Sequence, residues 1–521
     1  MPASRLLLRA LVARARPPRG AAQPDARPNI VYIMSDDHAL RTIGAYARGF
    51  HATPNLDRIA NEGAVFANAF VGNSICGPSR AAILTGTHAH VNGVTGNAQP
   101  WDSTQAVFPR VLQQAGYRTA LFGKWHLNSR PADEFDTYTI LTGAGKQGFY
   151  YNPEVFSPDT GTRTIPGYAT DVVTDLALGW LDAEAAGPEA APFLLLVQYK
   201  AVHVPRMPPL RLLDRYLDRV IPEPPTLYDD LATRTANAAA PNFFLDGYRP
   251  IPPYAEHTPE TRNIYFERMT EAEMQAYHAV VDPQNAELAR LRASGAHDDP
   301  RAARAYHYQR FIKDYLRIVD ALDENVGRLL DRIDADPALL ENTIVVYASD
   351  QGYFTGEHGY AEKRLMYEEA VRMPLLMRWP ARIAPGTQIQ ALAQNIDLAP
   401  TFLEAAGLAP LDRMQGHSLV PLLDGVAPPD WRRSVYYHYY DHGIHRVARH
   451  AGVRTQTHKL VHFYTDDVWE LYDLVADPHE VRNVYDDPAY AGLRADLTGE
   501  YLRLRDHYGV PPETFEAPFG R

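Results

Sequence analysis

Four stretches of the chain share one pattern: a short run of apolar, β-prone residues that ends abruptly in polar ones. "NIVYIM" leads into "SDDH" (35–38), "YRTALFG" into "KWH" (124–126), "PFLLLVQY" into "KAVHVP" (200–205), and "NTIVVYA" into "SDQG" (349–352). Each run has the length of a strand buried on both faces. Helical patterns lie between them. In the clearest, Ile312, Tyr315, Leu316, Val319, Leu322, Val326, Leu329 and Ile333 recur every three or four residues, which predicts a helix over 308–333. Strands alternating with helices imply an α/β fold: a large, mostly parallel central sheet with helices on both faces. Ligands of such folds bind at the carboxyl ends of the strands, and all four polar clusters fall there.

The pattern changes twice along the chain. Residues 207–305, with "MPPL", "PEPP" and "PIPPY", read as an irregular insertion that wraps the domain and lines the substrate entrance. After "GHSLVPLLDG" (416–425), the stretches "RSVYYHYY", "GVRTQTHKLVHFY" and "VWELYDL" predict a small antiparallel sheet, followed by a helix near 488–507. The expected division is therefore a catalytic domain over 28–428 and a C-terminal α+β subdomain over 429–521. The first 24 residues carry five arginines and no acid, but Arg9 interrupts their apolar stretch. Residues 1–27 are read as a leader or a disordered N-terminus and set aside.

Composition narrows the partners. Against 51 Lys plus Arg stand 63 Asp plus Glu, a net charge of −12, which argues against a general nucleic-acid or anionic-membrane binder. An anionic ligand would need local positive charge to attract it. No run approaches the ~18 consecutive apolar residues of a membrane span. The one cysteine, Cys76, excludes an intrachain disulfide framework.

The strand-end clusters carry the candidate chemistry. Asp36 and Asp37 end one predicted strand, and Asp350 with Gln351 ends another. Three carboxylates and an amide carbonyl make a hard-oxygen site suited to Ca²⁺ or Mg²⁺, although either pair alone would read as turn residues. Cys76 precedes Gly77 and Pro78, and "PSRAAILTG" reads as a helix with Pro near its first turn and Gly86 at its end. The start of that helix favours anions, and Arg80 lies one turn on. A lone Cys is more often a small core hydrophobe than a nucleophile. The sequence around this one shifts the balance.

"CGPSRAAILTG" resembles the signature of the sulfatase family, in which the cysteine is oxidised to Cα-formylglycine. The resemblance runs from "PNIVYIMSDDH" through "GYRTALFGKWHL" and "HVP" to "SDQGYFTGEHGYAEKRLMYEEAVRMPLL" and "ELYDLVADPHEVRN", nearly the whole chain after residue 27. It implies an alkaline phosphatase-like fold and hydrolysis of sulfate esters. Asp36, Asp37, Asp350, Gln351 and modified Cys76 would hold a divalent cation, Ca²⁺ in preference to Mg²⁺. Arg80 would hold the aldehyde hydrate, His126 would hydrogen-bond it, Lys124 and Lys363 would grip sulfate oxygens, and His203 would protonate the leaving oxygen. Singly, each could be a solvated loop residue or a strand cap; their shared location argues otherwise. Many family members have Asn where this chain has Gln351, one methylene longer. A formylglycine-generating or anaerobic sulfatase-maturating enzyme is the implied partner in maturation; the resemblance leans toward a periplasmic or secreted location, but residues 1–27 show no clear signal peptide and the compartment stays open.

The segment "IPEPPTLYDD" and the stretch around Lys363 look most like bacterial N-acetylglucosamine-6-sulfatases or heparan-type sulfatases. The expected substrate is thus a sulfated sugar, with N-acetylglucosamine 6-sulfate or a heparan-type unit as the specific reading. His445 and Arg446, in "YYHYYDHGIHRVARHAGVRT", are the candidates for sugar contact. Two alternatives stay open on the sequence: a phosphonate monoester or phosphodiester hydrolase on the same fold, and a glycan-binding pseudoenzyme. Oligomeric state and exo or endo action are not legible.

Overall fold

The computed structural model describes residues 27–185, 191–235, 244–245, 266–441 and 446–516. Residues 1–26 of the predicted leader and His445 lie outside these. At its centre is a ten-stranded sheet in the order Thr387–Ile389, Ala64–Phe66, Leu375–Arg378, Thr343–Ser349, Asn29–Ser35, Phe193–Gln198, Arg118–Gly123, Thr137–Leu141, Glu154–Ser157, Gly161–Thr164. The strands from Thr343–Ser349 to Thr137–Leu141 run parallel. Antiparallel pairing enters through Leu375–Arg378 on one side and Glu154–Ser157 on the other.

Alternate residues of the central strands feed two cores, as the two-residue period of a strand requires. Val31, Ile33, Leu195, Val197, Val345 and Tyr347 pack with Ala177, Leu316 and Val319 from the helices Ala169–Ala185 and Pro300–Asp334. Ile30, Tyr32, Leu194, Leu196, Ile344 and Val346 pack on the opposite face with Ile83, Phe108 and Phe402. Each such side chain contributes roughly 1.5–3 kcal/mol by leaving water. The sheet is therefore fixed from both sides.

The long helix begins at Pro300, ahead of the predicted 308. Its start is set by Asp299, whose side chain accepts from the backbone N–H groups of Arg301 and Ala302, and by Pro300 at the first helical position. Apolar periodicity does not mark those turns. The reading of 207–305 as irregular is corrected in part for the same reason. Glu271–Ala293 is a helix opened by a capping box, in which Thr270 accepts from Glu273 N and Glu273 reaches back to Thr270 N. Its buried stripe is sparse and it contains Pro283, so neither period nor composition announces it.

Beyond residue 433 an antiparallel sheet of Ser434–Tyr439, His450–Thr455, His458–Phe463 and Val468–Asp473 is followed by the helix Ala491–His507. One face of the sheet packs on that helix through Leu460, Leu471, Tyr501 and Leu504. The other packs Tyr437, Tyr439 and Val461 against Leu365, Met366 and Tyr367, so it backs the segment that carries Lys363. No helix among the described residues is long and apolar enough to cross a membrane.

Register brings the polar clusters together. Ser35 stands opposite Ser349, Met34 opposite Gln198, and Gly123 opposite Gln198. The four strands end at one level, and the residues that follow them share one edge. The close approach at Gly123 is demanding: its φ is 112°, and a Cβ there would stand 1.9 Å from the Gln198 carbonyl oxygen. Gly123→Ala should accordingly destabilise the protein by roughly 3 kcal/mol or more. Urea denaturation checks this, and an unchanged midpoint would contradict it.

Candidate active site

Asp36 and Asp37 leave the sheet in a tight turn. Asp37 takes a left-handed φ of 63°. The turn is held because Asp36 N donates to Ala201 O at 2.8 Å, Val202 N to Asp36 O at 2.6 Å, and Asp350 N to Ser35 O at 3.1 Å. Tyr315, from the long helix, donates its hydroxyl to Asp37 O and accepts from Ala39 N. The carboxylates of Asp36, Asp37 and Asp350 then meet, with ligating oxygens within 4.8 Å of one another.

Cys76 opens the helix Cys76–Thr85, all ten residues of which are buried. Gly86 closes it in the left-handed region at φ 67°, as the sequence predicts. The helix is seated by Ser79, which donates to Asp350 O and accepts from Asn395. That places Cys76 Sγ 3.4 Å from Asp36 Oδ1 and 3.2 Å from Lys363 Nζ. One turn on, Arg80 holds Asp350 Oδ2 through Nε and Nη2, both at 3.0 Å, and donates from Nη1 to Lys124 O at 2.7 Å.

Lys124 donates to Asp36 and Lys363 to Asp37. Each of the three carboxylates thus has a cation, and every cation comes from a different element. His203 donates from Nδ1 to Val204 O at 2.7 Å, which leaves Nε2 facing the centre, 3.9 Å from Asp37 Oδ2. His126, at φ 53°, completes the group, with its Nδ1 buried and without a hydrogen-bond partner among the described residues. Cys76, Arg80, Lys124, His126, His203, Lys363, Asp36, Asp37, Asp350 and Gln351 therefore converge. Arg446 does not join them: it is exposed, at φ 54°, and has no hydrogen bond to the centre among the described residues.

Burial dominates the electrostatics. It pushes the Cys76 thiol up to about 12 and raises Asp37, against which Lys363 pulls. Burial, then the neighbouring cations, hold His126 and His203 well below the ordinary imidazole range. Lys124 is likewise lowered by burial. Burial also works against the charge on Lys363 and is the largest single influence, but Asp37, Cys76 and Glu362 together outweigh it and keep that group raised.

The donor set fits a divalent cation. Three carboxylates converge, and Gln351 Oε1 is buried without a hydrogen-bond partner among the described residues, an oxygen to spare for a hard ion. The longer Gln351 stem is accommodated, since its Nε2 reaches Asp37 Oδ1 at 2.5 Å.

Two residues of the centre escaped the sequence reading. Gln147, on the glycine-rich loop after Thr137–Leu141, accepts from Lys124 Nζ at 2.9 Å. Lys200 is buried, donates to Val204 O at 3.2 Å, and lies over the Tyr150 ring at 5.1 Å. A lysine at a strand end, three residues before His203, was the available signal for the second. Gln147 had none.

Buried acids, cations and one cysteine gathered at the carboxyl edge of a parallel-centred sheet define an α/β protein with a site built for an anion. Comparison with known proteins makes this specific. The chain matches the family described as Sulfatase over residues 28–408 and that described as N-sulphoglucosamine sulphohydrolase, C-terminal, over 356–507. It is 41% identical, over 90% of this chain and 85% of the relative, to the N-acetylglucosamine-6-O-sulfatase of Bacteroides thetaiotaomicron. It is 25% identical to the N-acetylglucosamine-6-sulfatase of Capra hircus, over 89% of this chain and 81% of that one. A solved structure of a protein in complex with its substrate D-glucosamine-2-N,6-O-disulfate superposes with a TM-score of 0.89 at 39% identity, covering 94% of this chain and 99% of the other. The chain belongs to the sulfatase family. It has the alkaline phosphatase-like fold and is a sulfuric ester hydrolase; formylglycine and a metal ion are general to the family.

Burial also gives Lys200 a measurable signature. It lowers the group from 10.5 to about 7. The unfolded chain then binds a proton between those values that the folded chain does not, so folding stability from this group is complete above 10.5 and lost as pH falls toward 7. The difference in unfolding free energy between the parent and Lys200→Met should change across that window by up to roughly 1.4 kcal/mol per pH unit. Urea titrations at several pH values measure it, and parallel curves would contradict it.

Proposed function

We propose that the chain removes the 6-O-sulfate of an N-substituted glucosamine, with Cys76 as the precursor of formylglycine and Ca²⁺ as the cation. The observation that carries the reading is the placement of Cys76 Sγ between Asp36 and Lys363, in a chain 41% identical to an N-acetylglucosamine-6-O-sulfatase. A thiol pushed up to about 12 is almost wholly protonated at neutral pH, which makes the encoded cysteine a poor nucleophile. When present, formylglycine would supply a hydrated aldehyde hydroxyl as nucleophile, and Ca²⁺ would draw charge from the sulfate oxygens.

The remaining work falls to the chain's own side chains. Asp36, Asp37, Asp350 and Gln351 offer oxygens to the cation together with position 76. Lys124 and Lys363 face the place where a sulfate must sit and neutralise the charge it brings. Arg80 and His126 orient the group on residue 76. His203 has its Nδ1 proton committed to Val204 O, so its Nε2 is the atom that gives a proton to the departing sugar oxygen. Burial first, and then the neighbouring lysines, hold this imidazole down. A sulfate among them offsets their charge and lets Nε2 take up the proton it must later donate.

The test combines chemistry and mass. Protein from its native host should yield a residue-76 peptide about 18 Da lighter than the cysteine form. It should release sulfate from N-acetylglucosamine 6-sulfate faster than from the 3-sulfate or from the matching phosphate monoester. Cys76→Ala should lower that rate by roughly 10³-fold or more. Chelation should abolish it, and Ca²⁺ should restore it better than Mg²⁺. Faster phosphate than sulfate release, or full activity in Cys76→Ala, would sink the reading.

A further inference from the structure

The catalytic edge carries a second set of ligand atoms beside the oxygens that suit Ca²⁺. Asp36, Cys76 and His203 each offer one atom, and the three lie within 4.8 Å of one another. All three residues are buried. They come from separate places in the chain: the end of Asn29–Ser35, the first position of Cys76–Thr85, and the turn after Phe193–Gln198. Carboxylate, thiol and imidazole differ in kind from the oxygen set. Ca²⁺ takes oxygen alone, whereas sulfur with nitrogen selects Zn²⁺ and its relatives.

The geometry within the set suits such an ion. With Zn–S near 2.3 Å and Zn–O near 2.0 Å, two corners of a tetrahedral site stand about 3.5 Å apart. Cys76 Sγ and Asp36 Oδ1 are 3.4 Å apart. His203 is prepared as a ligand through its other nitrogen. A metal-binding imidazole characteristically donates its remote N–H to a carbonyl or carboxylate, which fixes ring and tautomer. Here Nδ1 donates to Val204 O at 2.7 Å, and Lys200 Nζ donates to the same oxygen at 3.2 Å. Nε2 keeps its lone pair. Its ion-pair contact among the described residues is Asp37 Oδ2 at 3.9 Å, beyond hydrogen-bond distance, and the side chain is only 10% exposed.

Two features oppose the ion. Burial pushes the Cys76 thiol up to about 12, and Lys363 Nζ stands 3.2 Å from Sγ. A thiophilic ion displaces the thiol proton, which leaves to solvent, and Lys363 keeps Asp37 as its partner.

We propose that the chain, while residue 76 is still cysteine, holds a thiophilic divalent cation of the Zn²⁺ type through Cys76 Sγ, His203 Nε2 and an oxygen of Asp36. Conversion of Cys76 removes the sulfur, and the pocket passes to the oxygens of Asp36, Asp37, Asp350 and Gln351. His203 is released for proton transfer in the same step. Only this change of metal rests on the formylglycine reading above; the site in the cysteine form stands without it.

The test material is full-length protein whose residue-76 peptide has the cysteine mass. Co²⁺ added to it should produce near-ultraviolet sulfur-to-metal charge-transfer absorption, and Cys76→Ser should lack it. Zn²⁺ affinity, read by competition with a chromophoric chelator, should fall about 100-fold in Cys76→Ala and about tenfold in His203→Ala. Ca²⁺ affinity should stay within about twofold in His203→Ala, because Ca²⁺ takes oxygen ligands. Zn²⁺ held by surface histidines is common to all these proteins and cancels. If Cys76→Ala does not fold, the converted protein, which lacks the sulfur, takes its place. Unchanged Zn²⁺ affinity in either comparison overturns the proposal. So does Co²⁺ bound without charge transfer, or an equal fall for Ca²⁺ and Zn²⁺ in His203→Ala. No sulfate ester enters these measurements, so failure to cleave the sugar sulfate defeats the function proposed above and leaves this site to be judged by the metals alone.

Discussion

Everything at the catalytic edge depends on one register. Because Ser35 stands opposite Ser349 in a parallel pair, the residues after them leave the sheet side by side, and three carboxylates meet. Two unit charges about 4 Å apart interact with about 4 kcal/mol at the effective dielectric near a protein surface, so three buried acids would push the strand ends apart if uncompensated. Arg80, Lys124 and Lys363 answer that repulsion one by one. They arrive from a helix, a neighbouring strand end and a loop, so the site cannot form before the fold does. Removing one partner would leave a buried charge exposed to its like neighbours, which makes such a group a structural risk as well as a chemical tool.

The four strands and their convergence were legible in the sequence because burial on both faces leaves uninterrupted apolar runs, and the abrupt polar residues after them mark the strand ends. The Cys76 helix was legible from Pro78 and Gly86. The start of the long helix was hidden, since Pro300 and its cap carry it through turns with little apolar face. Glu271–Ala293 was hidden by Pro283 and a thin buried stripe. Of the site, the residues in strand-end clusters could be named, while their pairing could not: no local pattern says that Lys124 faces Asp36 and Lys363 faces Asp37. Gln147 shows the limit most clearly. It belongs to a glycine-rich loop that resembles any connection until the sheet brings it to Lys124.

The balance of charge explains how an acidic protein receives an acidic ligand. Charges on the solvent-facing surface are screened within about 10 Å, whereas those of the centre act through a low-dielectric wall. Arg80, Lys124, Lys200 and Lys363 are all buried, and their field is felt inside the site rather than outside it. Three of them are held by the carboxylates, but among the described residues Lys200 donates only to a backbone carbonyl.

The same burial that favours an anion also depresses the bases around it. Lys124, Lys200, His126 and His203 are all pushed toward their neutral forms, and for each the first cause is desolvation. A site that kept these groups charged at all times would need more carboxylates to pay for them. Those carboxylates would repel the substrate.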